Sequence, residues 1–139
     1  MSAEKKTDFR VVNHSVPRRD GRAKVTGKAP YVSDLKLTGM AYAKVLRSPY
    51  AHARIVSIDA SRAASRPGVV AVLTQNDLKG IHPYYGHAVK DHPLIAIEKV
   101  RYAGEPVAAV IAESERAAFE ALEFIDVRYQ ELKIGRAHV

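Results

Sequence analysis

Two short runs, VVAVLT at 69–74 and VAAVIA at 107–112, constrain this chain more than any other feature. Each is a continuous stretch of small and β-branched apolar residues, preceded by turn formers: Pro67-Gly68 before the first, Gly104-Glu105-Pro106 before the second. Runs of this length and composition predict buried strands. A third stretch, GMAYAKVLRS, sets Met40, Tyr42, Lys44 and Leu46 against Ala41, Ala43, Val45 and Arg47. Both sets are mostly apolar, which predicts a strand covered on both sides with the lysine stem lying along one of them. Ser48-Pro49 stops it, because proline has no N–H to offer a ladder.

Other segments fill in around these. ARIVSID at 53–59 reads as a strand, with Arg54, Val56 and Ile58 opposite Ile55, Ser57 and Asp59. ASRAASR at 60–66 is a short helix closed by Pro67-Gly68, and Thr74 with Asp77 imitates a capping box over QNDL. Residues 79–93, KGIHPYYGHAVKDHP, read as a long loop, and LIAIEKVRY as extended chain. Ser114 is placed as a helix N-cap, with Glu115 in the first turn where the dipole favours an acid. ERAAFEALEF then puts Ala118, Leu122 and Ile125 on one face beside Ala121. From Ile125 the period becomes two, with Ile125, Val127 and Tyr129 one way and Asp126, Arg128 and Gln130 the other. The class predicted is α+β, a small mixed sheet with one main helix and one or two short ones.

Charge and cysteine usage exclude much chemistry. With no cysteine, the chain has no disulfide, no thiolate nucleophile and no sulfur ligand for zinc or iron–sulfur clusters. The formal charge of +7 is concentrated at the start: residues 1–28 hold eight Lys/Arg against three acids. That pattern marks a basic leader, expected to be loosely ordered over 1–15, rather than a nucleic-acid-binding face. No apolar run is long enough for a membrane span or a signal peptide, so a cytoplasmic location is expected.

The segment GRAKVTGKAPY at 21–31 imitates a phosphate-binding loop and fails the test. Five residues separate Gly21 from the Gly27-Lys28 pair where the Walker pattern has four, and Ala29 stands where a hydroxyl would hold magnesium. A local turn is the expectation, with no helix N-terminus to supply converging N–H donors.

Few side chains remain as chemical candidates. His82, His87 and His92 recur every five residues beside Asp91, and a loop could fold them around a divalent ion. The competing reading is a Gly/Pro-rich loop that tolerates histidine. His52 follows a strand-ending proline, where a hydrogen-bonded corner role outweighs that of a base. Glu105, in a turn between strands, could accept backbone N–H bonds or act as a general acid or base, and the structural role is favoured. Tyr84-Tyr85 could grip a partner. No residue is assigned a catalytic, cofactor-binding or metal-binding role.

Four blocks, in order and spacing, carry a family likeness: Asp20 with KVTGKA at 24–29, RSPYAHARI at 47–55, PGVVAVLT at 67–74, and YAGEPVAAVIAE at 102–113. They resemble the α/β hammerhead domain at the start of the molybdopterin-binding large subunit in the xanthine dehydrogenase and aldehyde oxidase family. The likeness spans 16–133, leaving 134–139 as a tail outside the family pattern. It implies a scaffold role, with KVTGKA as a lead-in turn, RSPYAHARI as a strand and its corner, and GEP as a hairpin bend. It implies that the chain itself binds no cofactor, since the family's catalytic glutamate and pterin-embracing segments lie downstream and match no position here. It further implies an assembled hydroxylase or dehydrogenase with molybdopterin-bound molybdenum, [2Fe-2S] clusters and often FAD. The partners expected are the molybdopterin-binding region or subunit and iron–sulfur or FAD subunits, with self-association through strand edges if the domain stands alone. The tail leaves three readings open: a natural split subunit, a truncated frame or an excised piece.

Overall fold

The computed structural model describes residue 9, residues 11–12 and residues 14–135, so most of the expected 1–15 leader and residues 136–139 of the expected tail lie outside it. The chain divides into two compact units, Met1–Leu37 and Thr38–Val139.

In the first unit, helix α1 spans Gly21–Val25. This corrects the expectation of a simple turn with no helix. Lys24 Nζ sits 2.5 Å from Asp20 Oδ2, one helical turn back, and the Thr26 hydroxyl donates to Arg22 O at 2.7 Å. Gly27 then ends the helix in the left-handed region at φ 68°. The Gly27-Lys28 pair therefore follows a helix instead of opening one, so the phosphate-loop imitation fails in structure as well.

The second unit holds two three-stranded sheets and a two-stranded ribbon, antiparallel in every pairing. Strands β1 (Tyr42–Arg47), β2 (Ala53–Asp59) and β3 (Val69–Leu73) are followed by β4 (Tyr84–Tyr85), β5 (His92–Pro93), β6 (Lys99–Val100), β7 (Pro106–Ala112) and β8 (Asp126–Glu131). Helix α2 (Ser61–Ala64) lies between β2 and β3, and α3 (Glu115–Leu122) between β7 and β8. The first sheet has the order β1-β7-β3, the second β6-β2-β8, and β4-β5 form the ribbon inside the segment expected to be all loop. The α+β expectation holds, with the strands shared among small sheets.

Helix α3 matches its sequence pattern. Ser114 Oγ accepts from Ala117 N at 3.1 Å, satisfying an amide that helix geometry leaves unpaired. Ala118 and Ala121 are buried, while Arg116 and Glu120 pair at 2.6 Å on the wet side. Thr74 and Asp77 form the expected capping box: Thr74 N and Oγ1 donate to Asp77 Oδ2 at 2.7 and 2.9 Å.

Two cores meet on β7. Ala53, Ile55, Ala96, Val100 and Val107 form one; Ala63, Ala108, Val110, Ala121 and Ile125 form the other. VAAVIA is thus the buried central strand its composition predicts. Ile58 and Val127 pack against both cores. Ile58 reaches them because the register between β2 and β8 shifts around Val56, so the strict alternation that set Ile58 opposite Ile55 does not hold.

Four further expectations are corrected. VVAVLT is an edge strand with a register shift at Val70, which is 63% exposed, so it is half-buried. β1 is the other edge; Tyr42, Lys44 and Leu46 are half-buried while Ala43, Val45 and Arg47 are exposed, so one face is uncovered. The Gly104-Glu105-Pro106 bend joins β6 to β7, which belong to different sheets, and so is no hairpin. Of LIAIEKVRY, only Lys99–Val100 pairs as strand.

Candidate functional site

The polar residues singled out by sequence meet, in part, at a knot where β1 ends. Ser48 N donates to Glu105 O at 2.9 Å, and Gly104 N donates to Ser48 O at 2.8 Å, stitching the strand end to the bend. Within the bend Gly104 lies at φ 90°, a conformation glycine adopts without the Cβ penalty. Glu105, 2% exposed, turns its carboxylate back on Arg101: Oε2 accepts the Arg101 backbone N–H at 2.5 Å and Oε1 accepts from Nη1 at 3.2 Å. Both oxygens are therefore engaged in holding the 101–105 turn, the structural alternative of the two weighed for this acid. The Ser48 hydroxyl accepts from Tyr50 N at 3.0 Å and donates to Tyr50 O at 3.1 Å, closing the corner after the proline.

His52 completes that corner. Its Nδ1 lies 3.0 Å from Lys133 O, and Leu132 N donates to His52 O at 2.9 Å, tying the corner to the chain after β8. The imidazole is a fastening, as the sequence reading favoured. It lines a cavity of about 420 Å³ with Ala51, Arg101, Tyr102, Ala103, Lys133, Ile134 and Gly135; Glu105 and the loop histidines are not among its walls. Nearby, the Tyr50 and Tyr129 rings stand 5.0 Å apart, and burial pushes the Tyr129 phenol above its ordinary pKa.

The three loop histidines do not converge. His82 Nδ1 lies 3.0 Å from Tyr84 O, whereas His92 meets the Tyr85 ring edge-on at 5.1 Å and stacks against Tyr102 at 6.1 Å. Among the described residues no three His, Cys, Asp or Glu side chains gather to hold a metal ion, so the metal-site alternative finds no geometry here. Tyr84 and Tyr85 are 37% and 50% exposed, and their ring contacts stay within the loop and with His92. No helix among the described residues is long and apolar enough to cross a membrane.

The feature that sequence did not disclose is an uncovered sheet face. In an antiparallel ladder directly opposed residues share a face. The registers Ala43↔Ile111↔Ala71 and Val45↔Ala109↔Leu73 therefore set six apolar side chains side by side. The opposite face of the sheet carries Ala108 and Val110 under the helices. The second sheet covers β7 only at Val107, so beyond it this face stays open; Val45 and Leu73 are 38% and 40% exposed. Arg101 was also missed, although its place four residues before Glu105 was a readable signal.

Comparisons with known proteins bear on the family and the fold. The family model described as "Aldehyde oxidase and xanthine dehydrogenase, a/b hammerhead domain" matches residues 26–133. A probable xanthine dehydrogenase subunit of Bacillus subtilis (strain 168) is 47% identical over 117 residues, covering 84% of this chain and 16% of that protein. The nicotinate dehydrogenase large molybdopterin subunit of Eubacterium barkeri is 37% identical over 126 residues, covering 91% of this chain and 29% of the relative. Among solved structures, quinoline 2-oxidoreductase from Pseudomonas putida 86 superposes with a TM-score of 0.77 at 40% identity, over 86% of this chain and 16% of that one. The chain thus spans a small part of the length of these relatives.

Proposed function

The chain belongs to the aldehyde oxidase and xanthine dehydrogenase a/b hammerhead family, and on that premise we propose that it is a supporting platform of a cytoplasmic molybdenum hydroxylase or dehydrogenase assembly. The observation that carries this reading is the open apolar face built from Ala43, Val45, Ala71, Leu73, Ala109 and Ile111, which a second polypeptide region would remove from water. We assign that cover to the molybdopterin-binding region. The residues present here do not suit the cofactors themselves: there is no cysteine for an iron–sulfur cluster, and Glu105 and His52 are engaged in holding a turn and a corner. Molybdenum, pterin and flavin are therefore held by other polypeptide, and this chain supplies shape. The domain is proposed to extend over 16–133, with the 1–15 leader and the 134–139 tail outside it.

The test is co-expression with the molybdopterin-binding polypeptide of the same organism. The two are expected to co-purify with molybdenum present only in the complex. Val45→Asp and Leu73→Asp, at positions exposed enough to tolerate a carboxylate, should keep the fold and lose the complex. Stoichiometric molybdenum on the chain alone, or unchanged co-purification of both variants, would overturn the reading.

A further inference from the structure

The registers of the β6-β2-β8 sheet lay out its outer face. Directly opposed residues share a face, so Lys99, Arg54 and Gln130 stand in one row and Asp59 with Asp126 in another. Gln130 and Asp126 lie four residues apart on β8, which puts both rows on the same face, about 13 Å apart along the strands. Ser57 and Arg128 form the row between them. All of these residues are exposed, whereas Ala53, Ile55 and Val100 are buried in the core behind the sheet. Val56, the extra residue at the register shift, is 60% exposed at the level of the middle row.

Each end row opposes like charges. Arg54 faces Lys99 and Asp59 faces Asp126, and both arrangements cost stability in the sheet taken alone. Arg54, Lys99, Arg128 and Asp126 form no ion pair among the described residues. The Asp59 carboxylate accepts only from Ser61, through Oδ1, so its other oxygen is open. One end of the face is thus cationic and the other anionic, with a valine between them. A nucleic-acid strand laid along β2 would meet carboxylates at one end, which disfavours a polyanion as the occupant. A surface with the same pattern in reverse fits along its whole length, and this chain is such a surface: a two-fold rotation makes the pattern its own complement.

We infer that two copies of the chain associate face to face through this sheet. A two-fold axis lying between the copies, crossing the strands at the level of Val56, sets Arg54 and Lys99 over Asp59 and Asp126 of the second copy, and reciprocally. Val56 meets its counterpart at the axis, and each Arg128 extends away from the other toward Asp126 of the second copy. One contact relieves both like-charge oppositions, and symmetry makes every ion pair occur twice. Exposed ion pairs are individually weak and the face is small, so the dimer is a weak one, with a Kd of roughly 0.1–1 mM at low salt. The open apolar face belongs to the other sheet, so the inference stands apart from the platform reading and adds that an assembly is doubled through this chain.

Sedimentation equilibrium of the full chain, from about 0.05 to about 1 mM, tests this. In about 50 mM salt the mean mass should rise toward twice that of the chain, and about 0.5 M salt should hold it at the monomer. Arg54→Glu combined with Lys99→Glu makes both ends anionic and should weaken association at least about tenfold. Asp126→Lys should also weaken it, while its Tm stays level or rises because the opposition to Asp59 is gone; lost association is thereby separated from lost fold. Mixed together, the two variants should associate more than either alone, since the cationic end of the second again meets the anionic end of the first. A parent chain still monomeric at about 1 mM in low salt would overturn the inference. So would association indifferent to salt or to the double variant, or a mixture no better than its parts. A dimer abolished by Val45→Asp would place the contact on the other sheet and overturn it as well, leaving the platform reading to its own co-purification test.

Discussion

Replacing Glu105 by alanine removes a carboxylate that is 2% exposed and accepts two N–H bonds from Arg101. The two bonds are not equal. The Arg101 side chain is 47% exposed, so its guanidinium can return to water when the partner is lost and little of that pair's worth appears as stability. The backbone N–H of Arg101 sits in the turn itself, and a donor there left unpaired costs about 1–3 kcal/mol. The one methylene removed adds about 1 kcal/mol, and the relief of no longer burying a charge offsets the small worth of the half-exposed pair. Glu105→Ala should therefore lose about 2–4 kcal/mol, Glu105→Gln, which keeps an acceptor in place, about 1–2, and Arg101→Lys, which keeps the backbone bond, less than about 1. Urea unfolding followed by far-UV circular dichroism at neutral pH reads these as shifts in midpoint at constant slope. An Arg101→Lys loss as large as that of Glu105→Ala would refute the reasoning, because the side-chain pair would then outweigh the backbone bond. A Glu105→Ala variant within about 0.5 kcal/mol of the parent would refute it from the other side.

Two further outcomes are expected. The Asp77 carboxyl is held below its ordinary pKa, first by the Thr74 backbone N–H and then by the Thr74 hydroxyl. A folded-state pKa below the unfolded one adds stability that is present above the ordinary carboxylate range and lost as pH falls through the folded value. Asp77→Asn should therefore be less stable than the parent at neutral pH and close the gap on acidification, and a gap that widens toward low pH in a urea series would contradict this. Gly86→Ala would place its Cβ 1.9 Å from Val89 O, a distance real atoms do not reach. It should open the Tyr84–Pro93 ribbon and release the Tyr85–His92 ring contact, visible in ring NMR shifts, while leaving Val107 and Val110 protected; unaltered ring shifts would show that the loop accommodates a side chain.

Composition disclosed the central strand and hid the edges. VAAVIA and VVAVLT look alike as strings, and what separates them is the number of neighbours: β7 lies between two strands and β3 beside one. That number is a property of topology, which a local window does not contain. The shifts at Val56 and Val70 escaped for a related reason, since an extra residue in a strand leaves composition untouched while reversing the faces beyond it. Helix α1 was missed because an ion pair between Asp20 and Lys24, one turn apart, stabilises it rather than an apolar stripe. By contrast the Ser114 cap, the Thr74–Asp77 box and the His52 corner were legible, because each is a local contact or a chain corner that proline announces. Glu105 was located in its turn, and its engagement with Arg101 became visible only with coordinates.

The double membership of Ile58 and Val127 has a thermodynamic consequence. A unit with two small clusters could melt piecewise, one sheet fraying while the other persists. Here each of the two side chains touches both clusters, so neither cluster can be solvated without stripping contacts from its neighbour. The register shift at Val56 helps swing Ile58 into that position, making a local irregularity the hinge pin of a single cooperative foldon. Slow-exchanging amides on β2 and β7 should accordingly share one opening free energy, although they belong to separate sheets.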